Sequence, residues 1–381
     1  MAGAKIADFR VSRFQFRRDR RVGDSQVSAS QANLVALELI DDAGRTGLGF
    51  MQILFQPLMS ESGIEAAFRQ EAFPMLDGRE PASLALQVTR PRGGNVRRML
   101  LPFEEAIQHA VWDLFAQAMD LPLWRLLGDK RETVPTYASG LDYHLSDHDF
   151  SELFGRAAEQ GYRGYKIKVG HPEVERDLHR LDLLKKATGD DGRPVMIDAN
   201  EAWTAAETRA ALELFARAGH RIYWIEDPIP RDDFDGLRRL RLACPDTRVN
   251  SGEYLDLTGK RKLLEAEACD MLNVHGQVSD VMRAGWLAGE RNVEVTFGNS
   301  MLEIGVNMAL ALPGVRWLEY SFQNFEHLVE EPYVIRDGLI RGHDRPGHGL
   351  RLSETARREH RAAEPLTEAT LPPAPRWERP A

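Results

Sequence analysis

Residues 195–228 read VMIDANEAWTAAETRAALELFARAGHRIYWIEDP. A short apolar run ends in Asp198 and Asn200, a helical stretch follows, and a second apolar run ends in Glu226 and Asp227. Strand, crossover helix and strand fit in that length only if the two strands run parallel. The unit recurs on both sides. VPTYAS starts at residue 134, YKIKV at 165, VMIDAN at 195, YWIEDP at 223, RVNSGE at 248, MLNVH at 271, VEVTFG at 293 and RWLEYS at 316, at intervals of 22 to 31 residues. Eight strands with seven crossovers predict an α/β fold, a closed (β/α)7β TIM-like barrel. The alternative is a large open sheet. No GxGxxG or GxxxxGK[ST] motif follows any strand, which weighs against a nucleotide-binding sheet of that kind.

The residues before the barrel read as α+β. Ile6–Phe16 alternates like a strand, Leu34–Ile40 and Gly47–Ile53 flank the turn-rich DDAGR as a hairpin, and helices are expected at Gly63–Met75, Pro81–Val88 and Phe103–Met119. The expected organisation is an α+β domain over residues 1–130, the barrel over 131–345 and a tail over 346–381. The tail, rich in Pro, Glu and Arg, is expected to be disordered or to wrap the surface.

Composition narrows the function. The 381 residues are 43% hydrophobic and 28% charged, with a formal net charge of −9. That excess of acid argues against nucleic acid as a partner. No apolar window is long enough to span a membrane, and the N-terminus lacks the apolar core of a signal peptide. Two cysteines, Cys244 and Cys269, exclude a disulfide framework and point to a cytoplasmic protein.

Barrel enzymes work at the C-terminal ends of their strands. The polar residues there are Lys166 and Lys168, Asp198 and Asn200, Glu226 and Asp227, Glu253, His275 and Glu319. Asp198, Glu226 and Glu253 follow one another by 28 and 27 residues, about one repeat each, so the three carboxylates are expected at similar height on adjacent strands. Converging carboxylates need a counter-charge, and a hard divalent cation with oxygen ligands, Mg²⁺, supplies it. Any one of these acids alone would read as a solvated loop residue. Lys166 and Lys168 share one strand face, inward if the apolar Tyr165, Ile167 and Val169 pack on the helices. Two adjacent ammonium groups are expected to lower one another's pKa, which suits a general base.

GYKIKVG, VMIDANEAW, YWIEDPI, SGE and WLEY, in this order and spacing, resemble the enolase superfamily, and more closely its mandelate racemase/muconate lactonizing enzyme branch. The helix FEEAIQHAVWDLFAQAMDLPLWRLLG resembles the one joining cap to barrel there. The likeness covers roughly residues 5–345. It implies that Asp198, Glu226 and Glu253 ligate Mg²⁺, that Lys168 removes the proton α to a carboxylate, and that Lys166 tunes it. It further implies that Asn200 stands beside the metal cluster, that Glu319 hydrogen-bonds a substrate carboxylate oxygen, and that the N-terminal part is a capping domain. Its substrate-choosing loops are expected at Arg17–Ser30 and Gln52–Glu61. Homo-oligomers are also implied.

The sequence departs from the branch in its second acid/base. His275 stands where racemase-like members carry an Asp and cycloisomerase-like members a Lys, and Gly298 and Asn299 stand near the place of a His. His275 is either that second acid/base or a histidine capping its strand. The segment FGNSMLE offers further polar groups. The expectation is acid-sugar dehydration, in which one base suffices with a helper such as His275. The alternatives are a racemase, epimerase or cycloisomerase, a barrel that only binds, and a metal-dependent aldolase. Arg17, Arg18, Arg20, Arg21 and His144 are candidates for binding the far end of a small carboxylate substrate.

Overall fold

The computed structural model describes residues 3–52, 58–86, 101–298, 304–323 and 325–374. The chain opens with an antiparallel meander, β1 (Ile6–Gly23), β2 (Ser28–Asp41) and β3 (Thr46–Gln52). The β2–β3 turn closes on Asp41, whose carboxylate accepts from the backbone N–H groups of Ala43 and Arg45. Helices α1 (Glu61–Glu71), α2 (Pro81–Ala85), α3 (Glu104–Ala118) and α4 (Leu123–Leu127) follow. The helix expected at 63–75 ends at Glu71, and Phe73–Met75 continues as a 3₁₀ turn around Pro74, which cannot extend the α-helical bonding. Positions 87 and 88 of the next expected helix, and Ile53 of the hairpin, lie outside the described residues.

Helix α3 packs onto the sheet at unusually short range. A Cβ at Gly47 would lie 2.1 Å from the Ala110 carbonyl oxygen, and one at Gly49 would lie 2.0 Å from that of Ala106. Only glycine allows this approach.

The barrel follows, strand and helix alternating: β4 (Thr133–Ser139), α5 (Asp147–Glu159), β5 (Tyr165–Lys168), α6 (Val174–Ala187), β6 (Val195–Asp198), α7 (Ala205–Arg217), β7 (Ile222–Glu226), α8 (Phe234–Ala243), β8 (Arg248–Ser251), α9 (Leu257–Glu265), β9 (Met271–Val274), α10 (Val278–Glu290), β10 (Glu294–Phe297), α11 (Gly305–Ala311) and β11 (Val315–Tyr320). All eight strands are parallel, and Glu319 of β11 pairs with Tyr137 of β4 to close the ring. The expected barrel with its N-terminal α+β cap is therefore present. Buried Ile, Leu, Phe and Ala residues fill the layer between strands and helices, while Tyr137, Met196, Trp224 and Met271 plug the interior below the mouth.

A short hairpin, β12 (Ile335–Arg336) and β13 (Leu339–Arg341), pairs antiparallel with the start of β4, at the end of the barrel away from the site. The tail then returns to the cap. It forms α12 (Glu354–Glu359) and runs beside β1, where Arg17 N–H donates to the Pro372 carbonyl at 2.8 Å and Ala374 N–H to that of Arg17 at 2.7 Å. Through Ala374 it is thus a wrap and not a loose end. Among the described residues no helix is long and apolar enough to cross a membrane.

One expected cap loop is largely strand. β1 continues to Gly23, and the turn is only four residues long, 24–27. That turn lies on the barrel mouth: Gly23 N–H donates to the Leu141 carbonyl at 2.9 Å, the Gln26 side chain bonds the Asn200 carbonyl, and His144 Nε2 donates to that of Val27 at 3.1 Å. Half of the second expected loop, residues 53–57, lies outside the described residues.

Candidate active site

Strand register builds the site. Lys168, Asp198, Glu226 and Asn250 are consecutive partners across β5, β6, β7 and β8, all at one level. Glu253 does not share that level. β8 ends at Ser251, and Gly252 at φ +120° turns the chain, so Glu253 reaches the cluster from the following loop. A Cβ on Gly252 would also meet the Asn273 carbonyl oxygen at 3.0 Å. Oxygens of Asp198, Glu226 and Glu253 nevertheless lie within 4.8 Å of one another. A set of three carboxylates at that spacing matches the donors a hard divalent cation takes. His148, Asp149 and Glu152 come equally close, but on the exposed surface of α5.

Both lysines point inward, as strand alternation requires. Lys166 Nζ donates to Glu226 Oε1 at 2.7 Å and stands 3.4 Å from both Asp198 Oδ2 and Glu319 Oε1. Lys168 Nζ donates to Asp198 Oδ2 at 2.5 Å and to Asn200 Oδ1 at 2.9 Å. The expectation that the pair of ammonium groups lowers their pKa does not hold for this protein without metal. Burial opposes the charge on Lys166, but Glu226 and Glu319 outweigh it and raise the pKa well above the ordinary lysine value. Burial likewise opposes charge on Lys168, Asp198 outweighs it, and the pull of Lys166 downward is the smaller effect. Without a metal ion, the converging acids favour the charged form of both lysines.

Three partners of Glu226 escaped the sequence reading. Asn250 Nδ2 donates to its Oε2 at 3.0 Å, Asn273 Nδ2 to its Oε1 at 2.9 Å and Trp224 Nε1 to its Oε2 at 3.2 Å. With Lys166 that makes four donors around one carboxylate. The signal for the two asparagines was faint: Asn250 sits in a strand already mixed in polarity, RVNS, and Asn273 is the one polar residue of MLNV.

His275 follows β9 and lines a cavity of about 350 Å³ with Glu105, Glu253 and Tyr254. Its Nε2 lies 3.1 Å from the Glu253 carbonyl oxygen. A carbonyl only accepts, so Nε2 carries the proton and Nδ1 is the second nitrogen. Burial holds the imidazole below its usual pKa, with Glu105 pulling the other way. Helix α3 braces the same loop, His109 Nε2 donating to the Gly276 carbonyl at 3.2 Å.

The cap arginines do not converge on this site. Arg18 donates to the Gln323 carbonyl at 2.7 Å, and Arg20 to the carbonyls of Gly140 and Ser321 at 3.2 and 3.4 Å. Arg17 turns to the Glu368 carbonyl and Arg21 to Ser28. Arg18, Arg20 and His144 tie the cap to the barrel rim, Arg17 ties it to the tail, and Arg21 stays within the cap sheet. Their strand alternates, Arg18 buried between exposed Arg17 and Asp19, which a hydrophobicity pattern cannot register. Asn299 and residues 299–303 of FGNSMLE lie outside the described residues.

A family model described as "Enolase C-terminal domain-like" matches residues 149–356, and one described as "Mandelate racemase / muconate lactonizing enzyme, N-terminal domain" matches residues 13–128. The chain belongs to the mandelate racemase/muconate lactonizing enzyme family. It is thus a member of the enolase superfamily, whose enzymes act as dehydratases, epimerases, cycloisomerases and racemases. Within the family it is 30% identical to a 3,6-anhydro-alpha-L-galactonate cycloisomerase of Streptomyces coelicolor, over 68% of this chain and 71% of that protein. It is 29% identical to the L-talarate/galactarate dehydratase of Salmonella typhimurium, over 87% and 84%. A solved Mesorhizobium loti structure, provisionally named a mandelate racemase, superposes with TM-score 0.93 at 54% identity, covering 97% of this chain and 98% of that one. An L-talarate dehydratase from Polaromonas sp. JS666, solved with Mg and L-glucarate, gives 0.79 at 26% identity, covering 94% and 98%.

Proposed function

We propose that this family member abstracts the proton α to the carboxylate of an acid sugar in the presence of Mg²⁺ and dehydrates the sugar to a 2-keto acid. The observation that carries the reading is the placement of Lys168 Nζ against the Asp198, Glu226 and Glu253 cluster, at the open end of the barrel. Asp198, Glu226 and Glu253 would hold the cation. Bound there, a divalent cation supplies positive charge that offsets the acids' pull on Lys168 and the negative charge growing on the substrate carboxylate.

The chain's own groups divide the remaining work. Lys168, in its neutral form, takes the α-proton on Nζ. Asn200 Oδ1 aims that nitrogen. Lys166 stays charged beneath it, held by Glu226 and Glu319, and adds positive potential at the substrate carboxylate. On the far wall His275, fixed through Nε2, turns Nδ1 to the departing hydroxyl. Donating a proton from Nδ1 requires the imidazolium, which Glu105 favours and burial opposes. Two relatives support dehydration, those named for talarate and galactarate.

A second reading, cycloisomerisation, is favoured by the 30% identity to a cycloisomerase and needs the same first proton transfer. A panel of mono- and di-acid sugars incubated with Mg²⁺ separates them. Release of a 2-keto acid supports dehydration. Conversion of an anhydro or lactone acid sugar in that panel to a ring-opened isomer of equal mass supports the second reading, and no turnover of any member defeats both.

A further inference from the structure

Two bridges close over the turn that follows β6. Asn200 and Glu201 are consecutive residues in the left-handed region, at φ 45° and 64°. Such backbone costs energy for residues with a Cβ and persists only where neighbours fix it. Glu201 takes Arg231 bidentately, Nε to Oε1 at 2.7 Å and Nη2 to Oε2 at 2.5 Å, and also accepts from Arg231 N–H at 2.6 Å. The Arg231 guanidinium lies over the ring of Tyr254, 4.2 Å from its centroid. The Tyr254 hydroxyl accepts from Asn200 Nδ2 at 2.6 Å, and Asn200 Oδ1 accepts from Lys168 Nζ at 2.9 Å.

A carboxamide facing an ammonium has one correct orientation. With the oxygen inward it accepts from Lys168. Flipped, it presents N–H to N–H. The Lys168 ammonium, which only donates, selects the first arrangement; the amide nitrogen then points outward, and the Tyr254 hydroxyl accepts from it and pins that end of the carboxamide. Tyr254 directly follows Glu253 in sequence and is itself 38% exposed in the cavity wall, so the ring needs an anchor of its own. Arg231, clamped by Glu201, provides it.

We propose that Tyr254 is a positioning residue: its hydroxyl locks the Asn200 carboxamide so that Lys168 Nζ is aimed at the substrate, with the Arg231–Glu201 pair holding the ring. The inference rests on Lys168 being the base. It adds a residue that does not touch the reacting atoms yet sets the rate of the first proton transfer. Asn200 and Lys168 are fixed through a side chain from the end of β8, two and three repeats away in the chain.

Tyr254→Phe tests it, since the ring and its stacking remain and only the hydroxyl goes. In a crystal structure of the Mg²⁺-loaded variant, the Asn200 carboxamide should rotate and Lys168 Nζ should shift by about 1 Å, with α-proton exchange falling about tenfold and KM changing by less than about twofold. In the Asn200→Ala background the same change should cost less than about twofold, because the group it positions is gone. Unmoved Asn200 and Lys168, a loss confined to KM, or full additivity with Asn200→Ala would overturn the proposal. Should the wild-type protein exchange the α-proton of no acid sugar, the role of Lys168 fails, and the crystal comparison still decides whether Tyr254 sets its position.

Discussion

Lys168 and Asp198 are direct partners in the parallel register of β5 and β6, and their side chains meet as an ion pair, Nζ to Oδ2, at 2.5 Å. The pairing puts a base candidate and a metal-ligand candidate in competition for one charge. While Asp198 has no other cation it holds Lys168 protonated. The first consequence concerns metal. Chelation should abolish turnover, Mg²⁺ should restore it, and Asp198→Asn should weaken Mg²⁺ binding at least about tenfold by titration calorimetry.

Glu226 carries a different cost. The sequence suggests a residue at a wet mouth, whose change to Gln would weaken metal binding and leave the barrel folded. Instead its side chain is fully buried, and Lys166 Nζ donates to it at 2.7 Å. Glu226→Gln removes one of three acids around the buried Lys166 charge, while burial and the neighbouring acids already push the Glu226 pKa well up, so the metal-free variant should lose about 1–3 kcal/mol in urea unfolding. A loss below about 1 kcal/mol would mean that Asp198 and Glu319 hold Lys166 by themselves.

His275 separates the two halves of the reaction. His275→Asn should lower dehydration by roughly 10²–10⁴-fold while sparing exchange of the α-proton with solvent deuterium. A fall of less than about tenfold would reduce His275 to its bond with the Glu253 carbonyl, a strand cap.

His109 makes the cap–barrel joint sensitive to acid. Burial lowers its pKa to about 4, against an ordinary value of 6.5. The folded state therefore resists the proton that the unfolded chain accepts. Stability should be complete above about pH 6.5 and decline as pH falls towards 4, by an amount on the order of 3 kcal/mol for this group. His109→Gln should flatten that part of the curve in denaturant titrations run at stepped pH. An unchanged curve would assign the acid loss to other groups.

The barrel was legible because short β-rich segments recur at the length of one strand plus one crossover helix, and most of them end in a polar residue at the working end. Lys166, Lys168, Asp198 and Glu226 follow directly from that register. Glu253 was found by motif while its height was not, since the turn at Gly252 takes it off the strand. The length of β1 was hidden because its outer part, Arg17-Arg18-Asp19-Arg20-Arg21, is charged throughout and shows no alternation of polar and apolar residues. Asn250, Asn273 and Tyr254 were missed for a common reason: their importance lies in whom they face across strands, and spacing along one strand does not encode that. Lys166 does lower the pKa of Lys168 as the pairing of the two cations implies, but without a metal ion the acids around them outweigh that effect.

The central claim is that Lys168 removes the α-proton. Wild-type, Lys168→Ala and Lys166→Ala proteins, each loaded with Mg²⁺, can be incubated in D₂O with the acid sugar that turns over, and deuterium at the α-carbon read by proton NMR. Lys168→Ala should show neither exchange nor dehydration, because it lacks the group that takes the proton, while Lys166→Ala should keep measurable exchange. Exchange retained in Lys168→Ala and lost in Lys166→Ala would reverse the two roles, and exchange retained in both would contradict the account.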